Sequence, residues 1–234
     1  MNILALDTAT EILSLALAAD GLPRGAVSTN RDGWYMEADL GLRHSEFLME
    51  MTDTLLKNAG MEPADLDLVA CMGGPGSFTG LRIGFSAAKG IALALGIPLA
   101  ASPTLDCMAL SCLHWPGAVL PVIDAKKRRF FTALYRGGGR ISSYLDGETA
   151  EIGALIPKEG QTLLTGPGAP ELASLLDDLP PERILIDPGC RKGRARELLA
   201  IVKKKNIILD NRETLFTGPM YLRKSDAELT KQLD

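Results

Sequence analysis

The densest chemistry in the chain is the loop Gly73-Gly74-Pro75-Gly76-Ser77, set between the apolar run Leu66 to Met72 and a long run of small residues ending near Leu95. A strand, a glycine loop and a helix in that order gather free backbone N–H groups at the positive end of a helix dipole, which suits an anion or a closely packed partner. Ser77 invites a nucleophile reading, but Pro75-Gly76-Ser77-Phe78-Thr79 does not fit G-x-S-x-G, and neither histidine is tied to it by a motif. Nor does the loop carry the Gly-Lys-Ser/Thr of a Walker A motif. Ser77 is therefore expected to be a cap or turn residue. His44 and Glu46 are two apart, so on a helix they point to different faces, and His44 reads as a hydrogen-bonded helix-start residue or a subunit contact. Asp7 and Glu46 would supply two ligands of a two-metal nuclease, but the third position falls on Met72-Gly73, so that constellation is incomplete.

Bulk properties narrow the classes. The 234 residues are 46% hydrophobic, enough for a full core, with a net charge of -4 and a pI of about 5.3. That balance argues against a protein that grips nucleic acid unaided. Three basic clusters, Lys126-Lys127-Arg128-Arg129, Arg191-Lys192 with Arg194 and Arg196, and Lys203-Lys204-Lys205, read first as solvated faces. The four cysteines form no CxxC pair and the only histidines are His44 and His114, so no metal site is expected and the thiols read as reduced. No uninterrupted apolar run approaches about 18 residues and no basic leader precedes the first strand pattern, so a cytoplasmic protein without membrane contact is expected.

The elements follow from periodicity. Strands are expected at Ile3 to Leu6, Ile12 to Ala18 and Arg24 to Thr29, with Arg31 to Gly41 irregular; a helix spans Phe47 to Ala59, and a strand Leu66 to Met72. A helix capped by Ser77 or Thr79 then runs to about Leu95, followed by a strand at Ile97 to Ala101 and a helix over Thr104 to Leu113. In the second half, strands are expected at Val119 to Ile123, Phe130 to Tyr135, Ile141 to Leu145, Thr162 to Thr165 and Arg183 to Ile186, and helices at Pro170 to Leu179 and Ala195 to Lys205. Asp7 and Asp124 each close the first strand of a half at the same distance from Ala16-Leu17 and Ala133-Leu134. The expectation is α/β, a duplicated ribonuclease H-like fold with a cleft between halves: residues 1–113, 114–218, and a segment 219–234 returning to the first domain.

Gly76, Gly80, Gly84, Ala88 and Ala92 recur every four residues, a narrow stripe that must be offset by close packing, since glycine inside a helix costs about 0.5–1 kcal/mol relative to alanine. Packing on the helix's own sheet accounts for part of it. Surplus apolar residues on this helix and on the one around Phe47 suggest a partner surface.

HSEFLMEM (44–51), GGPGSFTGLRIGFSAAKGIALAL (73–95), IDAKKRRFFTALY (123–135) and PMYLRKSDAE (219–228) together resemble the TsaB (YeaZ) family. The resemblance implies an actin-like ATPase fold and a non-catalytic scaffold or activator role in making N6-threonylcarbamoyladenosine at position 37 of tRNA. Its partners would be a TsaD-like catalytic subunit, a TsaE-like ATPase and, through the complex, tRNA; homodimers are also implied. The implied interface comprises His44, Phe47, Leu48, Met51, Leu55, Phe78, Thr79, Gly80, Leu81, Arg82, Ile83 and Gly84. TsaD-like relatives hold a metal through two histidines four apart; Thr104 and Met108 stand at those positions, so the metal centre is lost. Actin-like ATPases hold phosphates on Asp-x-Gly turns; here Asp7-Thr8-Ala9-Thr10 and Asp124-Ala125-Lys126-Lys127 lack the glycine. A degenerate nucleotide site would draw on Asp7, Asp124, Gly166 and Gly168, with Lys126 as a further contributor, no cofactor bound independently and ATP at the boundary of the assembled complex. Lys126, Lys127, Arg128 and Arg129 are candidates to face tRNA. The alternative is an independent ATP-using or glycoprotease-like hydrolase of the same fold.

Overall fold

A computed structural model describes residues 1–19, 33–41, 43–205 and 218–223. The first half contributes β1 (Ile3–Asp7), β2 (Ile12–Ala18), β3 (Trp34–Asp39), α1 (His44–Asn58), β4 (Leu68–Met72), α2 (Phe78–Leu95), β5 (Leu99–Ser102) and α3 (Thr104–Leu110). The second contributes β6 (Ala118–Asp124), β7 (Arg129–Thr132), β8 (Tyr135–Arg136), β9 (Gly139–Arg140), β10 (Leu145–Glu148), α4 (Thr149–Leu155), β11 (Thr162–Thr165), α5 (Ala169–Leu175), β12 (Ile184–Ile186) and α6 (Ala195–Lys205).

The first sheet runs β3-β2-β1-β4-β5 and the second β10-β7-β6-β11-β12, with β8 and β9 added beside β6. In each, the first strand pairs antiparallel with the second and parallel with the fourth, so the duplication holds at the level of sheet order. The central strands β1 and β4 are buried along their whole length, as sheets covered on both faces require.

One face of the first sheet packs against α1 and α2 through Leu4, Leu6, Leu48, Leu55 and Phe85. Its other face is covered by α6 from the second half: Leu198, Leu199 and Val202 pack with Ile3, Ala5 and Ala16. Reciprocally, α3 from the first half lies on the second sheet, where Leu105, Met108 and Ala109 meet Val119 and Ile123. Each half thus lends a helix to the other's sheet, and α6 closes the first core.

Several local expectations needed correction. Residues 34–39, read as irregular, form the edge strand β3, with Leu15 opposite Met36 and Leu17 opposite Trp34; as an edge, its Glu37 and Asp39 are tolerated by solvent, and this hid the strand pattern. The strand expected at Arg24 to Thr29 lies outside the described residues. Phe130 to Tyr135 breaks at Ala133-Leu134 into β7 and β8. Ile141 to Leu145 is no strand: the Ser142 hydroxyl accepts the Leu134 N–H at 2.8 Å, and pairing resumes only at Leu145. Asp7 pairs with Ser14 but Asp124 with Phe130, so the two hairpins differ by one residue despite the equal spacing to Ala16 and Ala133.

Candidate functional site

A cleft of about 590 Å³ opens between the halves. Its walls are the turn after β1 (Ala9, Thr10, Glu11), the loop Pro75–Phe78, the turn after β6 (Asp124, Ala125, Lys126), Pro167 with Glu171, and the segment Met220–Arg223. Ser77 is the N-cap of α2, its Oγ accepting the Gly80 N–H at 3.2 Å, while Gly96 in the left-handed region ends the helix. The cap role expected of Ser77 is what the structure shows.

The glycine stripe of α2 faces inward onto the first turn. A Cβ on Gly80 would overlap the Thr8 carbonyl oxygen, one on Gly84 the Thr8 hydroxyl, and one on Gly76 would stand 2.6 Å from the Ala9 carbonyl oxygen. Thr8 Oγ1 donates to Gly80 O at 2.7 Å and the Ser77 N–H to Ala9 O at 2.8 Å. The helix N-terminus that looked ready for an anion is filled by the protein's own backbone.

Asp7 does not line the cleft. Its carboxylate is 2% exposed and accepts the Ala9 N–H at 3.0 Å and the Arg194 N–H at 2.8 Å, while Ser14 Oγ accepts the Ala195 N–H at 3.2 Å. These bonds cap α6 from the first sheet, and burial pushes the Asp7 carboxyl above the usual carboxylate range. Asp124, by contrast, borders the cleft: it accepts the Lys126 N–H at 2.6 Å and holds the Lys126 ammonium at 2.5 Å, with Glu11 and Glu171 adding to the negative field there. Gly168 donates to Val122 O at 3.0 Å and Gly166, at φ +93°, lies against the Val122 backbone, so both glycines serve the join between β6 and α5. The four residues expected to form a degenerate nucleotide site are therefore not assembled around one space, and a lysine already bridged to a carboxylate beside two further carboxylates does not fit a polyphosphate.

The exposed surface of α1 and α2 differs from the residue set expected to form it. Leu48, Leu55, Gly80, Leu81 and Gly84 are interior, packed into the first core or onto Thr8. His44 is also buried; its Nε2 meets Thr10 O at 2.6 Å and its Nδ1 has no partner, while Glu46 turns outward to Arg43. Phe47, Met51, Phe78 and Ile83 are half-buried, Thr79 and Arg82 are exposed, and Met49 (54%) and Leu93 (53%) are the exposed large apolar residues of the two helices. α2 is long and apolar enough to cross a membrane by length and composition, but Leu81, Phe85, Ala88 and Ala92 fix one of its faces to the lobe.

Of the basic residues, Lys126, Lys127 and Arg128 are exposed on the turn, each with φ near +60°, whereas Arg129 is held by Asp146 at 2.9 Å and Glu148 at 3.1 Å. The second cluster dissolves: Arg191 pairs with Asp39, Arg196 stacks on Tyr35, and Arg194 is 4% exposed, its guanidinium donating to Ser111 Oγ, Thr165 Oγ1 and Gly189 O near Asp187 and Glu197. Nothing local in the sequence singled out Arg194. All four cysteines are buried with free thiols, and burial pushes Cys71 up to about 12.

Comparison with known proteins decides the family. Residues 40–176 match the model of the family described as TsaD, tRNA N6-adenosine threonylcarbamoyltransferase. The chain belongs to this family. Within it, the chain is 34% identical over 136 residues to the tRNA threonylcarbamoyladenosine biosynthesis protein TsaB of Bacillus subtilis and 36% over 138 residues to that of Escherichia coli, 58% of this chain in each case. The matched stretch spans about half the length of these relatives, 56% and 55%. A Pseudomonas aeruginosa crystal structure, described as an uncharacterized protein with similarity to peptidase YEAZ, superposes with a TM-score of 0.76 over 95% of this chain and 99% of its own at 24% identity, which shows a shared fold.

Thr104 and Met108, the two positions that the resemblance sets opposite the paired histidines of TsaD-like relatives, fall on the helix after β5. Both are interior: Thr104 is wholly buried, and Met108 Sδ lies close to Gly166 in the core that α3 shares with the second sheet. A hydroxyl and a thioether in that setting are packing residues, not ligands for a hard or borderline cation.

Proposed function

We propose that this TsaD-family chain is a non-catalytic subunit that supports transfer of a threonylcarbamoyl group to N6 of adenosine 37 in tRNA, by pairing with a TsaD-like catalytic subunit. The observation that carries this reading is that α1 and α2 leave Met49 and Leu93 exposed and Phe47, Met51, Ile83 and Ile91 only partly buried at the edge of the first core. A standard interface of roughly 1,600 Å² in total requires a patch of this kind. The relatives named as threonylcarbamoyladenosine biosynthesis proteins supply the reaction. ATP and a TsaE-like ATPase belong, in this reading, to the assembled complex, because the cleft of this chain lacks a phosphate cradle. Lys126, Lys127 and Arg128, exposed on the turn after β6, are in this reading the residues that face tRNA, whereas Arg129 is held by Asp146 and Glu148.

The test is reconstitution of threonylcarbamoyl transfer onto unmodified tRNA from the catalytic subunit, with and without this chain. Equal transfer without it overturns the proposal. The double substitution Met49→Asp with Leu93→Asp, both on exposed positions, is expected to abolish pairing by size-exclusion chromatography while leaving the thermal transition of the chain in place.

A further inference from the structure

Arg194 stands where the chain returns from one packed body to the other. The chain leaves the first sheet between β5 and α3, because α3 lies on the second sheet, and it comes back between β12 and α6, because α6 lies on the first. The main chain at that return is bonded to the first sheet. The Gly193 N–H donates to Glu37 Oε2 at 3.0 Å, the Arg194 N–H to Asp7 Oδ2 at 2.8 Å and the Ala195 N–H to Ser14 Oγ at 3.2 Å. A Cβ on Gly193 would overlap the Ser14 side chain, so the approach needs glycine.

The Arg194 side chain turns the other way, into the second body. Its Nη1 donates to Ser111 Oγ at 2.9 Å, at the end of α3, and its Nη2 donates to Thr165 Oγ1 at 3.1 Å, at the end of β11, and to Gly189 O at 3.0 Å, just past β12. The Asp187 and Glu197 carboxylates balance the charge at 3.6 and 3.5 Å. One residue thus has its backbone on the first sheet and its guanidinium among three segments of the second body.

We propose that Arg194 is the fastener that sets the angle between the two halves, and with it the width of the cleft. Hinge motions are absorbed by a few residues between packed elements, and the return segment 187–194 is such a place. A planar guanidinium that reaches acceptors on three segments holds them in one geometry, whereas an ammonium in its place is a point charge that cannot span them. Burial keeps water from competing for those acceptors. α1 and α2 stand on the first half and the turn 126–128 on the second, so the same joint fixes their spacing.

Double electron–electron resonance between spin labels at Glu50→Cys on α1 and Ala154→Cys on α4, both exposed, reads that angle in the full chain, whose native cysteines are all buried. The pair Glu50→Cys with Ala64→Cys, both exposed on the first half, is the control. With Arg194 intact, the pair across the halves is expected to give one narrow distance distribution. Arg194→Lys, which keeps the charge and loses the fork, is expected to widen it about twofold, with Ser111→Ala between the two and the control pair unchanged. An unchanged distribution across the halves in folded Arg194→Lys overturns the proposal. So does a distribution already broad with Arg194 in place, or equal widening of both pairs, which would mean general loosening. If Arg194→Lys shows no cooperative thermal transition, Ser111→Ala decides: Ser111 is only half-buried, and an unchanged distribution in that variant overturns the proposal.

Discussion

The turn after β1 and the turn after β6 stand at matching points of two sheets with one strand order, yet Asp7 is sealed under α6 while Asp124 faces the cleft. The first turn is immobilised by packing: α2 presses its glycines onto Thr8 and Ala9, and the Asp7 carboxylate caps a helix borrowed from the other half. The second is held by its own backbone, by Lys126 on Asp124 and by Arg223 on the Ala125 carbonyl, with residues 126–128 all in the left-handed region. Duplication gave both halves the same frame; one turn became part of the core and the other stayed at the surface. Both turns border the cleft, the first through Ala9, Thr10 and Glu11 and the second through Asp124, Ala125 and Lys126, but only the second brings its aspartate to it.

The strongest way to break the contrast is Arg194→Met. Arg194 joins Ser111 of the first half to Thr165 and Gly189 of the second from a position 4% exposed, so its removal strands buried acceptors and leaves Asp187 and Glu197 without their cation. A loss of about 3–5 kcal/mol in urea unfolding is expected, against less than about 1 kcal/mol for Arg223→Met at the partly exposed second turn. Equal losses would mean the two turns are fastened alike.

Gly80→Ala and Gly168→Ala come next. The added methyl at Gly80 meets a backbone oxygen that cannot move without shifting β1, whereas at Gly168 the nearest atoms are the Asp124 nitrogen at 2.9 Å and a Val122 methyl at 3.0 Å. Overpacking of about 3 kcal/mol is expected at Gly80 and about 1 kcal/mol at Gly168, read as the difference in denaturation midpoint. The same contact explains why bulk at Gly80 is a poor probe of partner binding: it reports on folding first.

Asp7→Asn sharpens the electrostatic side. Replacing one acceptor oxygen by an amide opposite the Ala9 and Arg194 N–H groups is expected to cost about 2 kcal/mol at low pH. Because burial raises the folded pKa of Asp7 above the ordinary aspartate value of 3.8, the folded state takes up its proton before the unfolded state does. Wild-type stability therefore gains from this group as pH falls from neutrality through the raised pKa, and the gain is complete below 3.8. The gap to Asp7→Asn widens over that window and then stays constant. Asp187 acts in the opposite sense, its lowered pKa removing stability only as pH drops below 3.8, so the two contributions separate in a pH series of urea melts.

The strand, glycine loop and capped helix were legible because each is a local pattern: buried strands read as apolar runs and Ser77 as a cap. Sheet order was legible from the repeat around Asp7 and Asp124. What local pattern does not encode is who covers whom. The exchange of α3 and α6, the burial of Arg194 and the inward face of the glycine stripe depend on contacts between residues such as Asp7 and Arg194 that are far apart in the chain. The edge strand β3 escaped for the converse reason, since its exposed face admits Glu37 and Asp39.

The smallest effect tests the second turn directly. Arg128 is exposed and holds φ at +60°, where a side chain costs about 1–2 kcal/mol in the left-handed region and glycine costs nothing sterically. Glycine's larger unfolded-state entropy returns about 0.5–1 kcal/mol, so Arg128→Gly is expected to stabilise the chain by about 0.5–1 kcal/mol in thermal or urea unfolding. No position on the first turn should behave this way, because its strength lies in packing and not in a strained backbone. The same variant removes one of the three exposed cations proposed to meet tRNA. A stabilised chain whose assembled complex binds tRNA with a smaller salt dependence would show that the strain at Arg128 is tolerated for the sake of its charge; stabilisation with tRNA binding and its salt dependence untouched would leave the basic turn as a solvated loop.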